Sequence, residues 1–231
     1  MRRGPVLVIM FIAGCGFYAP RNDVGAGYLG ARYILDPLGE ADGYDSDPLV
    51  RYDAFDCTTF VETVLADGDE RRLSAIRYRD GVVAWENRNH FIETDWLNNN
   101  SDFLENASAK YGNTAIRHVV IDKAAWALKN HGISVNANPI AAELEYLPYE
   151  TLGDIHNTRP LVVLFIVGNL KKHDKIATDI AVVHMGFLLP GGQVLRHAST
   201  GRGVVDDNFA EYVTKRRGMK NNIGIALVEI K

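Results

Sequence analysis

Cys57 stands in the stretch FDCTTFVETVLADG, residues 55–68, just after an acidic residue and ahead of an apolar helical pattern. A thiol becomes a nucleophile at neutral pH when a helix N-terminus and a neighbouring imidazole stabilise its thiolate. The first condition is met on pattern. Asp56 suits an N-cap, Phe60, Val61, Val64 and Leu65 share one helical face, and Asp67-Gly68 stops the helix. Cys57 also fits that face as an ordinary core residue, so this stretch alone does not separate packing from catalysis.

The second condition turns on the seven histidines. Positions 90, 118, 131, 156 and 173 lie in polar or helical surroundings that suit a solvated ring. His184 and His197 sit inside strand patterns on either side of Pro190-Gly191-Gly192. The midpoint between them falls between Pro190 and Gly191. An even-length loop centred there sets His184 directly opposite His197, with Cβ atoms about 4.5–5.5 Å apart. A three-residue Pro190–Gly192 loop slips the register by one and parts them. Side by side, one imidazole takes the thiol proton as general base and the other orients it. Two unrelated strand histidines, or a Cys-His-His zinc site, use the same residues, although no further acidic or sulfur ligand stands at a zinc-like spacing.

The elements that must position these groups run helix-rich first and strand-rich second, an α+β order. Residues 27–52 carry many Gly, Asp and Pro and read as ordered loop; 72–85 and 122–132 read as helices. After Pro160 come strands at 161–168, 179–189, 193–199 and 223–230, with a helix over 206–218. The 231 residues carry a net charge of −4 and 47% hydrophobic residues, which suits one globular domain and lacks the basic face of a nucleic-acid binder. No phosphate loop, CxxC pair or HExxH is present, so neither a cofactor nor a metal is expected.

The start of the chain, MRRGPVLVIMFIAGC, has two arginines, an apolar run and small residues before Cys15. The run is shorter than the roughly 20 residues that span a bilayer, and it fits an export signal over 1–14. A buried N-terminal element ending in cysteine is the plainer alternative. IAGC resembles a bacterial lipobox, which implies lipidation of Cys15, a tether over 15–25 and, with Gly16 following, an outer-membrane lipoprotein facing the periplasm. A lipidated Cys15 leaves Cys57 as a lone thiol in an exported protein, where thiols are usually paired or reactive.

The stretches GARY (30–33), FDCTTFVETVLA, VVHMGFLL and LRHAS together resemble the NlpC-type peptidoglycan hydrolases, papain-like cysteine peptidases of the bacterial cell wall. FDCTTFVE, NRNHFIETDW and the C-terminal AEYVTKRRGMKNNIGIALVEI are similar to their N-acetylmuramoyl-L-alanine amidase-like branch, once a domain of unknown function. The resemblance covers about residues 26–231. It implies a single catalytic domain whose nucleophile opens a helix packed on an antiparallel sheet, with a largely helical insert over 68–157. It further implies Cys57 as nucleophile, His184 as base, His197 as orienting residue, and Tyr33 beside the thiol on the substrate side. Asp56 joins Tyr33 there, and Arg88, His90 and Trp96 in the insert are candidates for substrate contact, each of a type that also serves folds. Arg32, where the family usually has proline, and the absence of Gly-Asp ahead of residue 161 are departures.

The implied activity is hydrolysis of the amide between N-acetylmuramic acid and L-alanine by a monomer held at the membrane through Cys15. A γ-D-glutamyl-diamino-acid endopeptidase and a non-enzymatic wall-binding lipoprotein are the alternatives.

Overall fold

The computed structural model describes residues 24–168 and 173–231. The expected signal peptide, Cys15 and residues 15–23 of the tether lie outside them. A short parallel pair, β1 (Arg32–Tyr33) and β2 (Ala54–Phe55), leads directly into α1 (Cys57–Ala66), with Tyr33 paired to Phe55. Helix α2 (Glu70–Arg77) follows, and then a run of short turns with α3 (Leu97–Asn99).

The main sheet is antiparallel along its path, in the order β4 (Ala115–Ile121), β5 (Ile140–Pro148), β10 (Asn222–Ile230), β6 (Leu161–Val167), β7 (Val182–Leu188), β8 (Val194–Ser199), β9 (Gly203–Asn208). Strand β3 (Leu104–Asn106) pairs with β10. Helix α4 (Lys123–His131) crosses between β4 and β5, α5 (His173–Ile176) precedes β7, and α6 (Phe209–Arg217) follows β9.

Strand β6 is buried at all seven positions because both of its faces are covered. Val162, Leu164 and Ile166 join Phe60, Val61 and Leu65 of α1 in one apolar cluster, while Val163 and Phe165 join Phe209 and Val213 of α6 in another. This double cover explains the continuous run LVVLFIV, which lacks the alternation of a half-exposed strand.

Two expectations need correction. The insert over 68–157 is not largely helical: β3, β4 and β5 lie within it and extend the main sheet beyond β10. Its strand sequences are hard to read because β4, AIRHVVI, lacks the apolar–polar alternation of a half-buried strand: Ile116 and Val120 are exposed at the edge of the sheet. The β7–β8 register also differs from an exact opposition of the histidines. Phe187 pairs with Arg196 and Leu188 with Leu195, and Leu189 N–H bonds the Val194 carbonyl, so the loop is Pro190–Gln193. Gly191 and Gly192, both at positive φ, make this turn. The register moves by two residues, which preserves parity: His184 and His197 still share a face, but diagonally, and Gly186 is the residue that faces His197.

Candidate functional site

Cys57 is the first residue of α1, and a complete capping box fixes the helix start. Thr59 N–H bonds Asp56 Oδ1 at 2.8 Å, and Asp56 N–H bonds Thr59 Oγ1 at 3.0 Å. Residues Thr59 to Ala66 are all buried against β7, β8 and α2, so the helix has little freedom to shift the thiol. Cys57 and His184 line one cleft of about 260 Å³, together with Thr58, His90, Trp126 and Met185. The Met185 backbone amide and the Thr58 hydroxyl, 3.9 Å from Sγ, favour the thiolate. Burial and the Asp56 charge oppose it more strongly and push the thiol up to about 11. The helix terminus alone therefore does not ionise Cys57, which leaves the neighbouring imidazole as the second condition.

His184 lies beside a β-bulge: Phe165 pairs with His184 but Ile166 with Val182, a displacement that re-aims side chains next to many active sites. His184 Nε2 is 2.7 Å from His197 Nδ1. His197, fully buried, has its Nε2 2.9 Å from Asp207 Oδ2. Asp207 is gripped by Arg202 through both carboxylate oxygens, at 2.5 and 2.9 Å. The three residues sit on adjacent stretches of β7, β8 and β9. Tyr212 of α6 packs edge-on to the His197 ring at 4.9 Å, and Phe165 lies against His184 at 5.5 Å. Burial, the neighbouring His197 and Arg216 hold His184 well below the usual imidazole range. His197 is lowered less, since Asp207 offsets its burial. Both rings are thus neutral at pH 7.

The predicted substrate residues divide. Tyr33 is half-buried near the thiol, held there by the β1–β2 pair; burial raises its hydroxyl, partly offset by a bond to Thr200. His90 lines the Cys57 cleft and donates from Nε2 to the Trp85 carbonyl at 2.9 Å, with burial keeping it neutral. Asp56 and Arg88 border the adjoining cavity of about 420 Å³, but their polar atoms are already committed. Asp56 caps α1 and accepts Asp36 N–H at 3.1 Å, while the Arg88 guanidinium is shared among Glu40, Asp45 and Asp36. Both are better explained as architecture. Trp96 is a correction: it is fully buried in the core cluster of α1 and lines neither cavity.

Sequence reasoning missed Trp126, which borders both cavities and stacks on Trp85 at 5.8 Å, and it missed Asp207. The Asp206-Asp207-Asn208 run reads as a helix start, and Asn208 does cap α6, which hides that Asp207 still belongs to β9. Among the described residues no three His, Cys, Asp or Glu side chains are grouped to hold a metal. Both His197 nitrogens are engaged by neighbours, so the Cys-His-His set does not converge on an ion.

Solved structures share this fold. A Legionella pneumophila protein of the DUF1460 family model is 24% identical, with a TM-score of 0.83 over 90% of this chain and 87% of its own. A Bacteroides uniformis N-acetylmuramoyl-L-alanine amidase is 24% identical, with a TM-score of 0.69 over 90% of this chain and 96% of its own. A Bacteroides fragilis structure assigned provisionally as a xylanase is 26% identical, with a TM-score of 0.67 over 90% of this chain and 100% of its own. No curated protein matches the sequence. The AmiA-like family model, described as N-acetylmuramoyl-L-alanine amidase-like, matches residues 23–219, a span that contains Cys57, His184, His197 and Asp207, and the chain belongs to that family.

Proposed function

We propose that this amidase-like hydrolase uses Cys57 to cut the amide between N-acetylmuramic acid and L-alanine in peptidoglycan fragments. The observation that carries the reading is the shared cleft: a helix-terminal thiol and a neutral imidazole whose far nitrogen is held by a second imidazole. The resting pair is thiol and neutral imidazole. On substrate binding, His184 takes the proton from Cys57 as sulfur attacks the carbonyl carbon. The Cys57 backbone N–H, at the open end of α1, and Tyr33 face the developing oxyanion. His184 then gives its proton to the departing L-alanine nitrogen, leaving a thioester. Water, deprotonated by His184, hydrolyses the thioester to a lactyl carboxylate and restores the thiol.

Glycoside hydrolysis requires two facing carboxyl groups, roughly 5–9.5 Å apart. Among the described residues the Cys57 cleft carries one carboxyl, Glu93, which already accepts Ala181 N–H at 2.5 Å, so amide chemistry fits this cleft better.

Digestion of a defined muropeptide in H₂¹⁸O, followed by mass spectrometry, tests the bond. One ¹⁸O in the muramyl lactyl carboxylate, with release of an intact stem peptide, is expected. Label in the γ-carboxylate of D-glutamate would instead assign an endopeptidase. The same reading anchors the mature protein to the outer membrane through a lipid on Cys15. Metabolic labelling with palmitate, lost in Cys15→Ser, is the corresponding check; equal labelling of both forms would refute the anchor.

A further inference from the structure

We propose that Asp207, held by Arg202, is a positioning residue that dictates which nitrogen of His184 acts as the base. Arg202 bonds both oxygens of Asp207, which holds its carboxyl well below the usual carboxylate range. An ionised carboxylate only accepts, so the 2.9 Å contact fixes the His197 proton on Nε2. A neutral ring carries one proton, which leaves Nδ1 of His197 as a lone pair. His184 Nε2, 2.7 Å away, must then be the donor, and His184 Nδ1 is left bare. That bare nitrogen is the base required at the wall of the Cys57 cleft.

The opposite assignment needs a proton on His197 Nδ1 as well as Nε2, making it an imidazolium. Burial, Arg202 and Arg216 all oppose that charge. Among the described residues, the groups facing the two rings are Asp207 and Arg202 on the β9 side, Tyr212 and Arg216 from α6, Phe165 from β6 and, across the cleft from His184, Cys57 of α1 and His90. Of these, Asp207 alone accepts a hydrogen bond from a ring nitrogen. It lies partly exposed at the sheet edge, and Arg202 is half-exposed, so neither is core packing.

The catalytic consequence rests on the reading of Cys57 and His184 proposed above, whereas the tautomers do not. Long-range ¹H–¹⁵N spectra of the protein labelled with ¹⁵N-histidine read them directly, without substrate. Wild type is expected to show protonated Nε2 and bare Nδ1 at both rings. In Asp207→Asn, Arg202 keeps the amide oxygen and the NH₂ turns to His197, so both tautomers reverse. On muropeptide, kcat is then expected to fall by about 10²–10⁴-fold with KM within about threefold. The acid limb should move to lower pH, because a negative charge beside the imidazoles is lost. Asp207→Glu, which keeps the charge, is expected to restore the wild-type tautomers. If Asp207→Asn does not fold, Arg202→Gln replaces it: Asp207 stays ionised, so the tautomers are expected to hold, while its looser placement lowers kcat by about tenfold. Reversed tautomers in wild type, unchanged tautomers and kcat in Asp207→Asn, or unchanged kcat in Arg202→Gln would overturn the assignment. The expected tautomers in a protein inert toward muropeptides would overturn the proposed function while leaving the assignment intact.

Discussion

Replacing Gly186 with alanine should cripple the site from within the sheet. Gly186 faces His197 across β7 and β8, and an added Cβ would stand 2.7 Å from His197 Cβ and 2.8 Å from the Arg196 carbonyl oxygen. Carbon atoms in comfortable contact sit about 3.5–4.0 Å apart, so the two strands must part by about 1 Å. Both obstructing atoms belong to β8 close to its backbone, and neither can rotate away. Parting the strands by that amount stretches the 2.7 Å His184–His197 contact beyond hydrogen-bond range. A 1 Å misplacement of a catalytic group costs about 10²-fold in rate. Overpacking of this kind costs about 1–3 kcal/mol, or roughly 2–12 °C in Tm for a chain of this size. Gly186 is not at positive φ, so backbone strain does not contribute. The assay is kcat/KM on a muropeptide beside a thermal melt. Gly186→Ala retaining kcat/KM within threefold would refute the claim that this glycine sets the spacing of the imidazoles.

Three further outcomes follow from the same geometry. Burial and Asp56 push the Cys57 thiol up to about 11, so its alkylation by iodoacetamide, read by peptide mapping, should keep rising through pH 8–10; a plateau below pH 7 would mean a thiolate at rest. Glu62, buried beside Arg77, is pushed up from 4.5 to about 7, so the native state holds a proton that the unfolded chain has released across that window. Stability should fall by about 3 kcal/mol as pH rises through it, and Glu62→Gln should flatten that fall in a Tm–pH curve; parallel curves would contradict this. Asp56→Ala removes the α1 cap and should cost about 1 kcal/mol in urea unfolding, with unchanged stability the contrary result.

Local rules made much of the centre legible. The Asp56 cap, the Phe60–Leu65 face and the Asp67-Gly68 stop are short-range features, and α1 runs where they place it. The two histidines share a face because parity in a hairpin survives a two-residue shift, although direct opposition did not. What escaped depends on contacts distant in sequence. Trp96 resembles a surface recognition residue until the core closes around it, and Asp207 gains meaning only when β9 lies beside β8. The strands β4 and β5 were hidden because their apolar residues do not keep to one face: Ile116, Val120 and Ile140 are exposed. The helix terminus at Cys57 is visible in sequence, whereas the burial that raises its thiol is not.

The central claim is that Cys57 is the nucleophile of an amide hydrolase. Treating one defined muropeptide with wild-type protein and with Cys57→Ala, and weighing the products, tests it most directly. Wild type should release the intact stem peptide and the free muramyl carboxylate, and Cys57→Ala should release neither. Equal release by a correctly folded Cys57→Ala variant would contradict the account.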